Sequence, residues 1–471
     1  MAALWFDVED LFVYAATTKR PSGIQRLAFE IYREVWERLG STPGAVRFVR
    51  HHPVTRKFVE IPWSQIDALF TAMSSDHAPP KAKPVYKKTT TRFYAGLIAR
   101  LPPRLQPTML AFVNLQREAL VAWLLVFRAI FRRLVWPLRY AWNEVTGKHG
   151  PQSVKPPAIQ GGGDEAVFAK GDTLLAIGSP WFIAHYGELV RDVQAKGARF
   201  ALLVYDIIPL RRPEWCDRHL VKMFTDWFAA VLPYTDKLFA ISRYSADDLE
   251  LYAKQHGIKL KSKVLPIPIA AGFVQTPTEM ASERPSHLPP AGSYALIVST
   301  IEARKNHMLL FRLWRKLVEE LPETKVPTLV FAGRVGWLVD DFMKQLDNAD
   351  WLGGKVVLVD NPTDDALAHL YRGCQFTLFP SFYEGWGLPV TESLAFGKPA
   401  LISDRTSLPE AGGKLARYFD PDNLHDAYAA LRAVIDDPKA LKAWEAEVKA
   451  DFKPVAWRET ADALLAGLDR K

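Results

Sequence analysis

The sequence predicts an α/β protein of two domains built on parallel sheets. Three observations point there. Short apolar runs alternate with stretches of helical period, at Ala198–Tyr205, Lys237–Ile241, Tyr294–Thr300, Thr328–Gly333, Lys355–Val359, Phe376–Pro380 and Pro399–Ser403, which is the pattern of βα units. Between Ala270 and Ser293 the composition turns to Pro, Ser and Gly, as in an interdomain linker. A chain of 471 residues, 49% hydrophobic and 24% charged, suits two ordinary globular domains and excludes a disordered or low-complexity chain.

Taken in order, residues 1–269 are expected to form the first domain, interrupted by an insertion at about 75–165. Residues 293–452 form the second. A last amphipathic stretch, Val455–Leu468 within 455–471, reads as a helix and is placed with the first domain. Cys216 and Cys374 are the two cysteines, too few for a disulfide framework and without metal-ligand spacing. They are expected to be buried thiols in a reducing compartment. The N-terminus MAALWFDVED has no basic, apolar pattern of a secretory signal.

Charge is concentrated in one place. The chain is +8, yet residues 81–150 hold thirteen Lys and Arg against only Glu118 and Glu144, so that segment is +11 and the remainder −3. Its longest uncharged run, Ala119–Phe127, is far short of the ~20 residues that span a bilayer. At about 100° per residue, Arg117, Arg128, Arg132 and Arg139 fall within a sector of roughly 60°. Leu, Val, Ile, Phe and three tryptophans fill the rest. This is a basic amphipathic helix with interfacial aromatics, expected to lie on an anionic membrane surface. A core helix with one solvated arginine edge is the plainer alternative. Nucleic acid is not expected, because no recognised nucleic-acid module accompanies the basic segment.

The chemistry-bearing stretch is FTLFPSFYEGWGLPVTESLAFGKPALISD, Phe376–Asp404. A strand ends at Pro380, a glycine-containing loop follows, and a helix starts near Leu388–Pro389, with proline where the first turn tolerates it. Gly385 and Gly387 allow close backbone approach to a ligand. The first-turn N–H groups and the helix dipole favour an anion such as a diphosphate. Glu384 and Glu392 could each accept hydroxyl hydrogen bonds from a sugar.

This stretch resembles the E–seven residues–E motif of retaining glycosyltransferases of the GT-B fold, family 4. STIEARKNH (Ser299–His307), FAGRVGW (Phe331–Trp337) and LYRGCQFTLFPS come in the matching order, and RPSGIQR, YDIIPLRRPE and FAISRYSADDL look like elements of the first domain. The resemblance implies two Rossmann-like domains facing across a cleft, with the basic helical insertion in the first. It implies transfer of a sugar from a nucleotide-sugar to an acceptor hydroxyl, with retention and with neither metal nor cofactor.

By that resemblance Glu392 would bind the donor's ribose. Glu384 would sit by the donor sugar, and Gly385, Gly387 and Leu388 would offer backbone amides. Arg304 and Lys305 would neutralise the diphosphate, with Arg334 as a third, weaker cation. Gly23 would approach the phosphates from the first domain. Asp206 would either orient or deprotonate the acceptor hydroxyl, or merely cap the turn that follows it. Ser299 and Thr300 replace a Gly-Arg of many relatives, and Tyr205 stands where many have His. His185 reads as a structural or surface histidine, and Asp420-Pro421-Asp422 as a helix N-cap rather than a metal site.

The expected function is a hexosyltransferase in surface-polysaccharide synthesis, acting on a lipid-linked or glycan acceptor at the cytoplasmic face of the membrane. GDP-mannose or a deoxyhexose nucleotide is the favoured donor. The alternatives are a nucleotide-sugar epimerase or glycan phosphorylase of the same fold, or a non-catalytic membrane scaffold.

Overall fold

A computed structural model describes residues 2–18, 21–52, 55–74, 123, 164–183, 185–272 and 284–469. The expected basic helix within 81–150 falls outside the described residues, Trp123 excepted, and so does most of the linker. Among the described residues no helix is long and apolar enough to cross a membrane.

The first sheet holds seven strands: β1 (Leu4–Asp7), β2 (Val46–His51), β3 (Phe58–Ile61), β4 (Thr173–Ala176), β5 (Arg199–Val204), β6 (Lys237–Ala240) and β7 (Val264–Pro266). They lie in the order β3-β2-β1-β4-β5-β6-β7. Neighbours are parallel, with one exception. β2 and β3 run antiparallel, because the short connection between them cannot carry the chain back over the sheet. The first sheet is thus parallel but for this one edge strand.

The second sheet has six strands: β8 (Tyr294–Val298), β9 (Thr328–Gly333), β10 (Val356–Asp360), β11 (Thr377–Phe379), β12 (Ala400–Ser403) and β13 (Arg417–Phe419). Their order is β10-β9-β8-β11-β12-β13, and all pairs are parallel. The central strands are buried along their whole length, as in YALIV of β8 and LWFD of β1. Helices covering both faces of a parallel sheet require such continuous apolar runs. In each sheet the strand order reverses beside the first strand, between β1 and β4 and between β8 and β11, and ligands of open α/β sheets bind outside the carboxyl ends at such points.

Two details depart from local expectation or complete it. The helix Leu424–Asp436 is capped by Asn423, whose side chain accepts the N–H groups of His425 and Asp426. Asp420 and Asp422, the expected caps, instead contact Arg405. The final helix, Trp457–Asp469, buries Ala461, Leu464 and Leu468 in the core of the first sheet, although it follows the second domain in sequence.

Candidate active site

The loop between β11 and the helix Leu388–Ala395 carries Glu384, and the loop after β8 carries Glu302, Arg304 and Lys305. Arg304 and Lys305 lie in one 3₁₀ turn, Ala303–Lys305, which closes on Asn306 in the left-handed region at φ 57°. Asparagine tolerates that conformation better than most residues. The Phe382 N–H donates to the Arg304 carbonyl at 2.9 Å, tying the two loops together.

Both cations converge on Glu384. Arg304 Nη1 is 2.8 Å from Oε2 and Lys305 Nζ is 2.5 Å from Oε1. Arg304 Nη2 is 2.8 Å from Oε1 of Glu302, itself 3% exposed. Two carboxylates and two cations thus cancel in a buried group, which is how a protein interior tolerates charge. Burial alone would raise the Glu384 carboxyl. Lys305 and Arg304 outweigh it and hold Glu384 down at about 2. The same carboxylates push the Arg304 guanidinium well above its ordinary value, against the opposing effect of burial.

Gly385 follows Glu384 where the two domains meet. A Cβ at this position would lie 2.6 Å from the Tyr205 carbonyl oxygen and 3.0 Å from Asp206 Cβ, so only glycine lets the loops approach this closely. Asp206 lies half-buried beside the charged group; desolvation raises its carboxyl, and Arg304 is the main opposing charge. Its Oδ1 accepts the Ile208 N–H at 3.1 Å, so the turn-capping contact is present. Gly387 takes φ 110° at the start of the helix, and a Cβ there would meet Leu408.

Glu392 is set apart from Glu384. Tyr371 donates to its Oε2 at 2.8 Å, and burial pushes its carboxyl up to about 7. Gly23 begins the helix Gly23–Leu39 against Leu388, whose Cδ1 would lie 3.1 Å from an added Cβ, and Arg26 of the same helix pairs with Asp364. The structure therefore brings Asp206, Gly385, Glu384, Arg304 and Lys305 together, and Gly23 against Leu388. Arg334 is exposed and outside the ionic group; its carbonyl accepts the Ile301 N–H at 2.9 Å. Among the described residues no cluster of three or more candidate ligands could hold a metal ion.

Several residues that complete this arrangement escaped the sequence reading. Glu302 adjoins the selected pair but offered no signal of its own. Glu410 accepts the N–H groups of Arg243 and Tyr244, 2.8 Å each, and so occupies the positive N-terminus of the helix Arg243–Gln255. Ser245 Oγ lies 3.0 Å from the Tyr205 carbonyl and 3.2 Å from that of Gly385. Tyr383 donates to Asp248. A carboxylate after Ser-Leu-Pro (Glu410) and a serine in a first turn (Ser245) are common in any sequence.

Residues 281–451 match the family model described as Glycosyl transferases group 1. The Serotype-specific mannosyltransferase WbdA of Escherichia coli is 28% identical over 353 residues, 70% of this chain and 40% of that protein. The O-antigen chain mannosyltransferase B of Escherichia coli is 32% identical over 164 residues, 35% of this chain and 42% of that protein. The D-inositol 3-phosphate glycosyltransferase of Rhodococcus opacus (strain B4) is 26% identical over 182 residues, 38% of this chain and 41% of that protein. The chain thus spans about 40% of the length of the curated relatives it matches. Through residues 281–451, with the Arg304–Lys305–Glu384 group among them, the chain carries a group 1 glycosyl transferase domain.

Proposed function

We propose that the protein transfers a hexosyl group, mannosyl in first place, from a nucleotide-sugar to a hydroxyl of a glycan or lipid-linked acceptor, with retention at the anomeric carbon and without a metal. The observation that carries this reading is the buried group of Arg304, Lys305 and Glu384 beside the N-terminus of the helix Leu388–Ala395. Two relatives with mannosyltransferase names, in one case for an O-antigen chain, support the donor sugar and the polysaccharide setting.

In the reaction the bond from the anomeric carbon to the diphosphate breaks, the bond to the acceptor oxygen forms, and the acceptor proton passes to the departing phosphate. Negative charge grows on the diphosphate as it leaves. Cations fixed in a dry site stabilise that charge without reorganising. Arg304 and Lys305 fill this role, and a diphosphate displaces part of their pairing with Glu384. Glu384 then accepts hydroxyl hydrogen bonds from the donor sugar, and Glu392 accepts those of the ribose. Gly385, Gly387 and Leu388 present backbone amides, Gly23 approaches from the first sheet, and Asp206 orients the acceptor hydroxyl. Arg334, exposed, is left as an outer cation for the nucleotide.

The basic segment 81–150 would hold the enzyme on anionic lipid at the inner face of the membrane. The test is incubation with GDP-mannose and a panel of other nucleotide-sugars, with the anomeric configuration of the product read by NMR. Lys305→Ala should reduce transfer about 100-fold or more, the scale of removing one preorganised donor. Full transfer by that variant, or an inverted product, would overturn the reading.

A further inference from the structure

The turn that carries Glu384 is held by its carbonyls. Arg304 Nη1 donates to the Tyr383 carbonyl at 2.9 Å. Ser407 Oγ lies 2.9 Å from the Glu384 carbonyl oxygen and 3.0 Å from that of Trp386. Ser245 Oγ, from the first domain, reaches the Gly385 carbonyl between them at 3.2 Å. On the amide side, the Glu384 N–H donates to Thr406 Oγ1 at 3.0 Å. The N–H groups of Gly385, Trp386 and Gly387 have no protein acceptor among the described residues. Gly385 is buried, but Gly387 is half-buried, and with no side chain its exposed part is backbone.

A trans peptide sets its N–H antiparallel to its C=O. With the Trp386 carbonyl on Ser407, the Gly387 N–H therefore points away from Ser407. Gly387 has φ 110°, in the region that glycine enters freely. Rotating the Trp386–Gly387 peptide by about 180° would exchange this φ for a negative one, the change that separates type II from type I turns. Glycine admits both, so the turn has two accessible states, one presenting an N–H and the other a carbonyl. Ser407 is 0% exposed, and the flipped state breaks its hydrogen bond to Trp386. The state it holds places a donor at the positive end of the helix Leu388–Ala395, where an anion is favoured. The flipped carbonyl would repel that anion.

We propose that Ser407 is a positioning residue for the donor diphosphate: it locks the Trp386–Gly387 peptide with its N–H turned towards the phosphate oxygens. The identity of the ligand rests on the nucleotide-sugar reading above; the two-state peptide does not. Trp386–Gly387 is the one Trp-Gly pair in the sequence, so protein labelled with carbonyl-13C tryptophan and 15N glycine gives a single NMR signal for this peptide. GDP should shift that signal in the parent protein. In Ser407→Ala the signal should move or split before any GDP is added. By titration calorimetry that variant should bind GDP about tenfold more weakly, the scale of one lost hydrogen bond. It should bind GMP, which has a single phosphate, within about twofold of the parent. Ser407→Cys keeps the shape with a weak donor and should fall between the two, and it decides the matter if the alanine variant does not fold. A signal unmoved by GDP, parent-like GDP affinity in the folded variants, or equal losses for GDP and GMP would overturn the inference. Absence of transfer from every nucleotide-sugar, with the contrast between GDP and GMP intact, would instead defeat the hexosyl transfer proposed above and leave the role of Ser407 standing.

Discussion

Replacing Glu384 tests whether the four charges at the head of the second sheet act as one unit. Glu384→Gln leaves the group at +1, and Lys305→Met leaves it at −1. The double variant returns it to zero, with Arg304 still held by Glu302. Burial raises the Glu384 carboxyl, yet Lys305 and Arg304 hold it at about 2 against an ordinary 4.5. That gap converts to about 3 kcal/mol, close to the roughly 3–5 kcal/mol of breaking one side of a buried pair.

Each single variant should therefore lose about 3 kcal/mol at pH 7. The double variant should lose about 4 kcal/mol rather than the summed 6 or so, a coupling of about 2 kcal/mol. Urea titration followed by hydrogen exchange at the amides of β8 and β11 reads the second domain alone. The sign with pH is set by the depressed folded value: the stabilisation is present above about pH 4.5 and is lost as pH falls through about 2. Wild type and Glu384→Gln should converge on acidification. Additive losses, or single variants within about 0.5 kcal/mol of wild type, would refute the reasoning.

Burial lifts the folded Glu392 carboxyl to about 7, so its charged form penalises the fold above that pH and the penalty fades towards pH 4.5. Glu392→Gln should melt higher than wild type at pH 8 and level with it near pH 4.5; no gain at pH 8 in a thermal-shift series sinks this. Glu410→Ala removes the carboxylate from the N–H groups of Arg243 and Tyr244. A loss of roughly 1 kcal/mol, typical of a helix cap, should speed exchange at those amides about fivefold, and unchanged exchange would show the contact to be idle. Removing residues 81–150, which takes away a charge of +11, should abolish salt-sensitive flotation with anionic liposomes. Flotation equal to that of the full chain would contradict membrane docking by this segment.

Much of the second domain was legible because burial along a strand is written locally. β9 (Thr328–Gly333) coincides with its apolar run, β8 and β12 differ from theirs by one or two residues at one end, and β11 by one residue at each end. The short strands β1, β4 and β13 left no comparable run, and β3 shares its hairpin with the end of β2. In the site, Glu384, Arg304 and Lys305 stood out by residue type and motif. Glu302 and Glu410 did not, since an isolated glutamate in a loop is ordinarily solvated.

The sequence by itself determined the alternation of strands and helices, the glycine-marked turn into Leu388–Ala395 and the segregation of basic charge into 81–150. Periodicity, turn chemistry and composition are local properties, readable over a few residues. Only the tertiary structure decided the antiparallel edge at β3 and the return of the last helix to the first sheet. It also decided which charges meet: Arg304 and Glu384 are separated by 80 residues, and Glu410 and Arg243 by 167. Such pairings depend on which loops two sheets bring to the same edge. Long-range packing sets that placement, and the same packing removes the water that would otherwise make each pair negligible.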